Sequence, residues 1–173
     1  MPEQDRENDM TGEYLRRVLV RDLAAVRLQL QGYENEEDIW ILPDGIKNSA
    51  GTLALHLAGN IQYFIGAQLG DSSFVRDRDT EFTMRNVSRA DLDEGIQQTI
   101  DSVNATFDQL QPADMDNEYP LELAGVRLQT GLFLTHLATH LAYHLGQMDY
   151  HRRVITKGSD AAGAQSIPAL ASG

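Results

Sequence analysis

Between Thr135 and Gln147 three histidines stand at successive four-residue steps, His136, His140 and His144, and a fourth follows at His151. Of the 5 histidines in the chain, only His56 lies elsewhere. Each residue of a helix advances by about 100°. Measured from His136, His140 then falls at about 40°, His144 at about 80° and His151 at about 60°, so the rings share one narrow strip. Leu134, Leu137, Leu141, Leu145 and Met148 lie beside it, at roughly 100° to 180°, while Thr139, Ala142, Gly146 and Arg153 face away. The imidazoles therefore line the edge of a buried face. Neutral ring nitrogens in that position are good ligands for divalent first-row ions, and the chemistry indicated is metal binding.

Helix geometry limits which of them can share an ion. His140 and His144 are one turn apart, about 6 Å, and their rings can converge. His136 and His144 are separated by about 12 Å of helix axis and His144 and His151 by about 10.5 Å, too far for common coordination. At most two of the four can bind one ion, as His140/His144 or as His136/His140. A further ligand must come from another helix, where His56 is the one remaining imidazole. His136 otherwise reads as packing or as support for a ligand. His151, next to Arg152 and Arg153, reads as a partner for the negative end of the helix dipole.

The elements that must position these residues are helical. Leu15, Val18, Leu19, Leu23, Val26 and Leu30 recur at three- and four-residue steps, predicting a first helix from Thr11 to about Tyr33. Asn35–Gly45 breaks it, with Pro43-Asp44-Gly45 as a turn and Trp40 as a cap on the bundle end or a wall of the pocket. A second helix is expected from about Lys47 to Leu69, with Leu53, Leu57, Ile61, Phe64 and Ile65 inward and His56 at the margin of that face. The long connection Gly70–Val87 follows. A third helix opens at Ser88, where Ser88-Arg89-Ala90-Asp91 resembles a capping box, and Pro112 ends it after the stripe Leu92, Ile96, Ile100, Val103, Phe107 and Leu110. Gln111–Arg127 is a second long connection with a short extended piece at Tyr119–Leu123. The fourth helix runs from about Gln129 to Lys157 and stops at Gly158. The prediction is an all-α four-helix bundle, up-down-down-up, with a long crossover between the second and third helices. Residues 1–10 are expected to be a flexible acidic tail, 11–158 the bundle and 159–173 a flexible, untethered C-terminal tail.

Composition narrows the function. The 173 residues carry 26 acidic against 14 basic side chains, a formal charge of −12. That argues against binding nucleic acid, whose phosphates must be neutralised by Lys and Arg, and against adhesion to an anionic membrane. With 0 cysteines, disulfides, thiolate metal sites and a cysteine nucleophile are excluded, and any metal must be held by imidazole, carboxylate or water. Met1–Met10 is polar and acidic rather than a signal peptide, and no apolar run approaches a membrane span. A cytoplasmic protein is expected.

Leu53-Ala54-Leu55-His56-Leu57-Ala58-Gly59-Asn60 in the second helix, with Thr139-His140-Leu141-Ala142-Tyr143-His144-Leu145-Gly146-Gln147 in the fourth, resembles the DinB/YfiT-like superfamily of metal-dependent four-helix-bundle proteins. Its pattern is one histidine in the second helix and HxxxH followed by x-Gly-Gln in the fourth. One position departs from it: Leu145 stands where many members carry arginine, so substrate anchoring by that arginine is not carried over. The resemblance spans about Thr11 to Gly158 and implies His56, His140 and His144 as ligands of a divalent ion, zinc slightly favoured over nickel or iron. It also implies metal-assisted thiol transfer or hydrolysis on a small molecule, since characterised relatives are thiol-dependent transferases and a mycothiol-dependent isomerase. Asn60, Tyr63 and Tyr143 are the candidate catalytic residues beside the ligands. A homodimer is expected by the same resemblance. The competing expectation is a non-catalytic, metal-stabilised bundle acting as a dimeric binding or sensor protein. A di-iron centre is disfavoured, because the fourth helix offers no Glu-x-x-His motif.

Overall fold

The computed structural model describes residues 3–163 and 166–171. The chain forms α1 (Glu3–Gln31), α2 (Ala50–Ile61), the short α3 (Arg78–Thr83), α4 (Arg89–Phe107) and α5 (Thr130–Thr156). It is all-α, and the four long helices pack together: α1 lies against α4 and α5, and α2 lies against the same two. The apolar stripes meet in one core. Leu19, Leu23, Val26 and Leu30 of α1, Leu53, Leu57 and Ile61 of α2, and Leu92, Ile96 and Val103 of α4 are buried against Leu134, Leu137, Leu141, Leu145 and Met148 of α5. Among the described residues, no helix is long and apolar enough to cross a membrane.

Local capping sets the helix starts. Ser49 Oγ accepts the Thr52 amide, so α2 begins at Ala50 and not near Lys47. Ser88 Oγ accepts the Asp91 amide and opens α4 at the expected place. Trp40 does cap a bundle end: its indole donates to the Val87 carbonyl at 3.2 Å. It lies so close over the first turn of α2 that a Cβ at Gly51 would come within 2.6 Å of the ring. Beyond Ile61 the helix widens into a π turn, Gln62–Ala67. The buried Tyr119 reaches that turn and donates to the Phe64 carbonyl at 2.7 Å. Tyr119 belongs to a small hairpin whose two central residues, Ala124 (φ 50°) and Gly125 (φ 78°), have the left-handed conformation of a tight two-residue turn.

Several expectations are corrected. The first helix does not start at Thr11 but already at Glu3; once a helix is nucleated, each added residue costs little, and acidic residues suit its positive end. The connection after Gly70 contains α3. Helix α5 ends through Lys157, at φ 57°, and not through Gly158. The segment after α5 is tethered rather than loose: buried Arg152 donates to the Asp160 carbonyl at 2.6 Å, Gln29 to the Ala161 carbonyl at 3.0 Å, and Arg17 to the Leu170 carbonyl at 3.4 Å. Residues 1, 2, 164, 165, 172 and 173 of the two expected tails lie outside the described residues.

His151 is likewise not a dipole partner at a surface. It is buried, its Nε2–H donates to the Ile41 carbonyl at 2.8 Å, and its Nδ1 accepts the Tyr33 hydroxyl at 2.6 Å. The neutral ring thus ties α5 to the chain on both sides of the turn after α1. Burial, partly opposed by the bond to Ile41, lowers its pKa from the usual 6.5. A histidine held neutral in the fold takes up its proton more readily when unfolded. Its stabilisation is therefore complete above about pH 6.5 and is lost as pH falls toward the lower, folded value. His151→Leu should cost about 1–3 kcal/mol near neutral pH by leaving two buried partners unpaired. Its unfolding midpoint should also fall less steeply with acid than that of the wild type; equal slopes in thermal melts from pH 7 to 5 would contradict this role.

Candidate metal centre

Helix α5 delivers His140 and His144 on one face, one turn apart, and their Nε2 atoms stand 3.1 Å from each other. Helix α2 brings His56 up to both. The ring centroids are 5.3 Å apart for His56 and His140, 5.2 Å for His56 and His144, and 4.5 Å for His140 and His144. The planes cross at 78°, 89° and 87° respectively, so the three rings meet edge to edge like walls around a point. One donor atom from each lies within 4.8 Å of the others. His56 is buried, and the other two are half-buried.

Hydrogen bonds fix which nitrogens face inward. His56 Nδ1 is 3.0 Å from Glu81 Oε2. A carboxylate only accepts, so a proton sits on Nδ1 and Nε2 is the nitrogen left for a ligand. His144 Nδ1 pairs in the same way with Gln147 Oε1 at 2.7 Å. His140 Nδ1 is buried without a protein partner. Burial, with the neighbouring His144 and His56 adding to it, takes the His140 pKa down to about 4. Burial also lowers that of His144, against the raising effect of Gln147. Both rings are therefore neutral at pH 7, the form in which imidazole binds a metal.

These residues fit a divalent ion. Two nitrogens bound to one tetrahedral centre at about 2.05 Å are roughly 3.3 Å apart, close to the 3.1 Å found for His140 and His144. His56 offers a donor atom within 4.8 Å of those two. The donors are all nitrogen, which admits zinc, nickel or iron.

Helix α3 supplies the support that the sequence did not reveal. Asp77 caps it, accepting the Thr80 amide at 3.0 Å and the Thr80 hydroxyl at 2.6 Å. This places Glu81, one turn on, against α2. Arg76 holds Glu81 with two bonds, Nε to Oε1 at 2.6 Å and Nη2 to Oε2 at 2.8 Å. Burial raises the Glu81 pKa, but the bonds from Arg76 and His56 outweigh it and keep the carboxylate ionised. The approach requires glycine at position 59, because a Cβ there would collide with the Glu81 carboxylate. Phe82 packs on the other side of His56 at 4.9 Å. The signal for α3 was present in Asp77-Arg78-Asp79-Thr80, a capping residue followed by a first-turn acid, though nothing local linked it to His56.

The remaining histidines separate from the centre. His136 is exposed and stacks on Phe133 at 6.0 Å and 18°, so the pair His136/His140 is not the one that meets α2. His151 is committed to Tyr33 and Ile41. Of the candidate catalytic residues, Asn60 is buried one turn beyond His56 with its Oδ1 unpaired. Tyr63 lies in the π turn with its ring against Phe64 at 5.0 Å. Tyr143 is 65% exposed, its ring 5.3 Å from that of His144.

Fold and site together define a four-helix protein with a three-histidine group able to hold a metal ion. Residues 12–168 match the model of the family described as protein of unknown function DUF1572, and the chain belongs to that family. No curated protein and no solved structure matches it.

Elemental analysis of purified variants tests the ligand set. His140→Ala and His144→Ala should lose stoichiometric metal, and Glu81→Gln should weaken metal affinity roughly 10–100-fold, while His151→Ala keeps full content. Metal retained at one equivalent in His140→Ala would refute the assignment.

Proposed function

We propose that this protein is a metal-dependent enzyme acting on a small molecule, by thiol transfer or hydrolysis, at His56, His140 and His144. The observation that carries the reading is that the three imidazoles bring a donor atom each within 4.8 Å of one another, with the outer Nδ1 atoms of His56 and His144 bonded to Glu81 and Gln147. Three neutral ligands leave the full charge of an ion in place and leave room for a reactant, the composition of catalytic rather than closed structural sites. A divalent ion held there supplies the positive charge that favours thiolate over thiol and hydroxide over water. Zinc is the first choice, with nickel and iron compatible.

The chain's own groups then orient and select. Asn60 offers an unpaired, buried carbonyl oxygen one turn from His56, a place for a substrate N–H or O–H. Tyr143 offers an exposed aromatic face beside His144. With 0 cysteines in the chain, sulfur for a transfer reaction comes with a low-molecular-weight thiol. The resemblance to DinB/YfiT-like proteins supports thiol chemistry and a homodimer, and the long connection Gly70–Val87 supports the up-down-down-up order of the helices.

A panel of low-molecular-weight thiols, each paired with a small alkylating electrophile, tests the reading. Metal-loaded protein should accelerate thiol consumption, or water-driven loss of the electrophile, while metal-stripped protein and His144→Ala should not. Asn60→Ala should change turnover or KM and leave metal content intact. Equal rates with and without metal across the whole panel would overturn the proposal.

A further inference from the structure

One turn along the same two helices from the histidine centre, a cavity of about 530 Å³ opens between the Pro43–Asn48 segment, α2 and α5. Its size is that of small-molecule pockets. Leu53, in its wall, precedes His56 by one turn of α2, and Gln147, also in its wall, follows His144 by one turn of α5. Gln147 thus belongs to both places, since its side chain lines the cavity and holds His144 Nδ1 at 2.7 Å. Ile46 and Val154 add apolar wall that remains 50% and 61% exposed. At the rim stands Lys47, one of only two lysines in a chain of formal charge −12. Among the described residues it forms no ion pair.

We propose that this cavity seats the apolar body of the substrate whose reacting end lies at the histidine centre, with an anionic group at the other end paired to Lys47. The inference rests on the metal-dependent reading above and adds a substrate class to it: a small amphiphile, an acyl or aryl body ending in a carboxylate. Lys47 lies beyond the start of α2, and Ala50 and His56 are separated by roughly 9 Å of helix rise. That distance sets the length the ligand must span. The polarity is also set, because the acidic chain leaves Lys47 as the cation at this mouth, while Leu53 and Gln147 bring the cavity wall to within one turn of His56 and His144.

Octanoate is the probe, titrated into cobalt(II)-loaded protein and followed both by heat and by the visible cobalt bands. Saturable binding is expected, with the cobalt spectrum shifting as the apolar chain reaches the open side of the centre. Affinity should fall about tenfold or more in Lys47→Glu, which removes a charge-assisted contact, and in Val154→Trp, which fills the cavity from an exposed position. Unchanged thermal midpoints in both variants establish that folding is not the cause. Binding that is absent, or equally strong in both variants, overturns the proposal. Binding lost in both variants with no change in the cobalt spectrum overturns it too, by separating the cavity from a centre that still stands. Failure of the wild type to hold cobalt at all removes the proposed function itself, and this inference with it.

Discussion

Two imidazole nitrogens 3.1 Å apart cannot both present lone pairs to each other unless something positive lies between them. A proton on His140 Nε2 can do this, since no partner holds that ring in the other tautomer. A divalent ion would do it too, and would engage the third nitrogen as well. Helices α2, α3 and α5 all contribute to this point. His144 is held by Gln147 from its own helix, and His56 by Glu81 from a different one. Only His140 has its outer nitrogen buried with no protein acceptor.

The dearest part of the construction is Glu81. Taking a carboxylate out of water costs several kcal/mol unless it is fully paired. Here both oxygens receive bonds from Arg76, one also receives the His56 proton, and Gly59 lets the group approach α2 without a clash. Arg76 in turn lies over the Phe64 ring at 5.5 Å. A helix of 6 residues with little core of its own is thus held largely by one ionic network. That network fixes the His56 ring, which a hydrophobic replacement would not do.

The sequence made some of this legible and hid the rest for definite reasons. The pairing of His140 with His144 is local geometry, fixed by 3.6 residues per turn. The choice between that pair and His136/His140 was not local, because it depends on the level at which α2 crosses α5; there the family pattern carried the reading. Glu81 and Arg76 were invisible, since their segment shows no apolar periodicity and their partner lies across the fold. His151 fell on the same strip of the wheel as the ligands, yet its burial against Tyr33 and Ile41 is set by the turn after α1. The helical stripes were read correctly as far as Ile61. Beyond it, in the π turn, Ile65 is still buried as expected, whereas Phe64 is only partly buried.

X-ray absorption at the edge of the bound metal, recorded on protein as purified, examines the convergence of the three rings most directly. Multiple-scattering features of three imidazoles are expected, with metal–nitrogen distances of about 2.0–2.1 Å and any remaining ligand a light atom from solvent or reactant. A spectrum with one imidazole or none, or a shell made chiefly of carboxylate oxygen, would contradict that convergence.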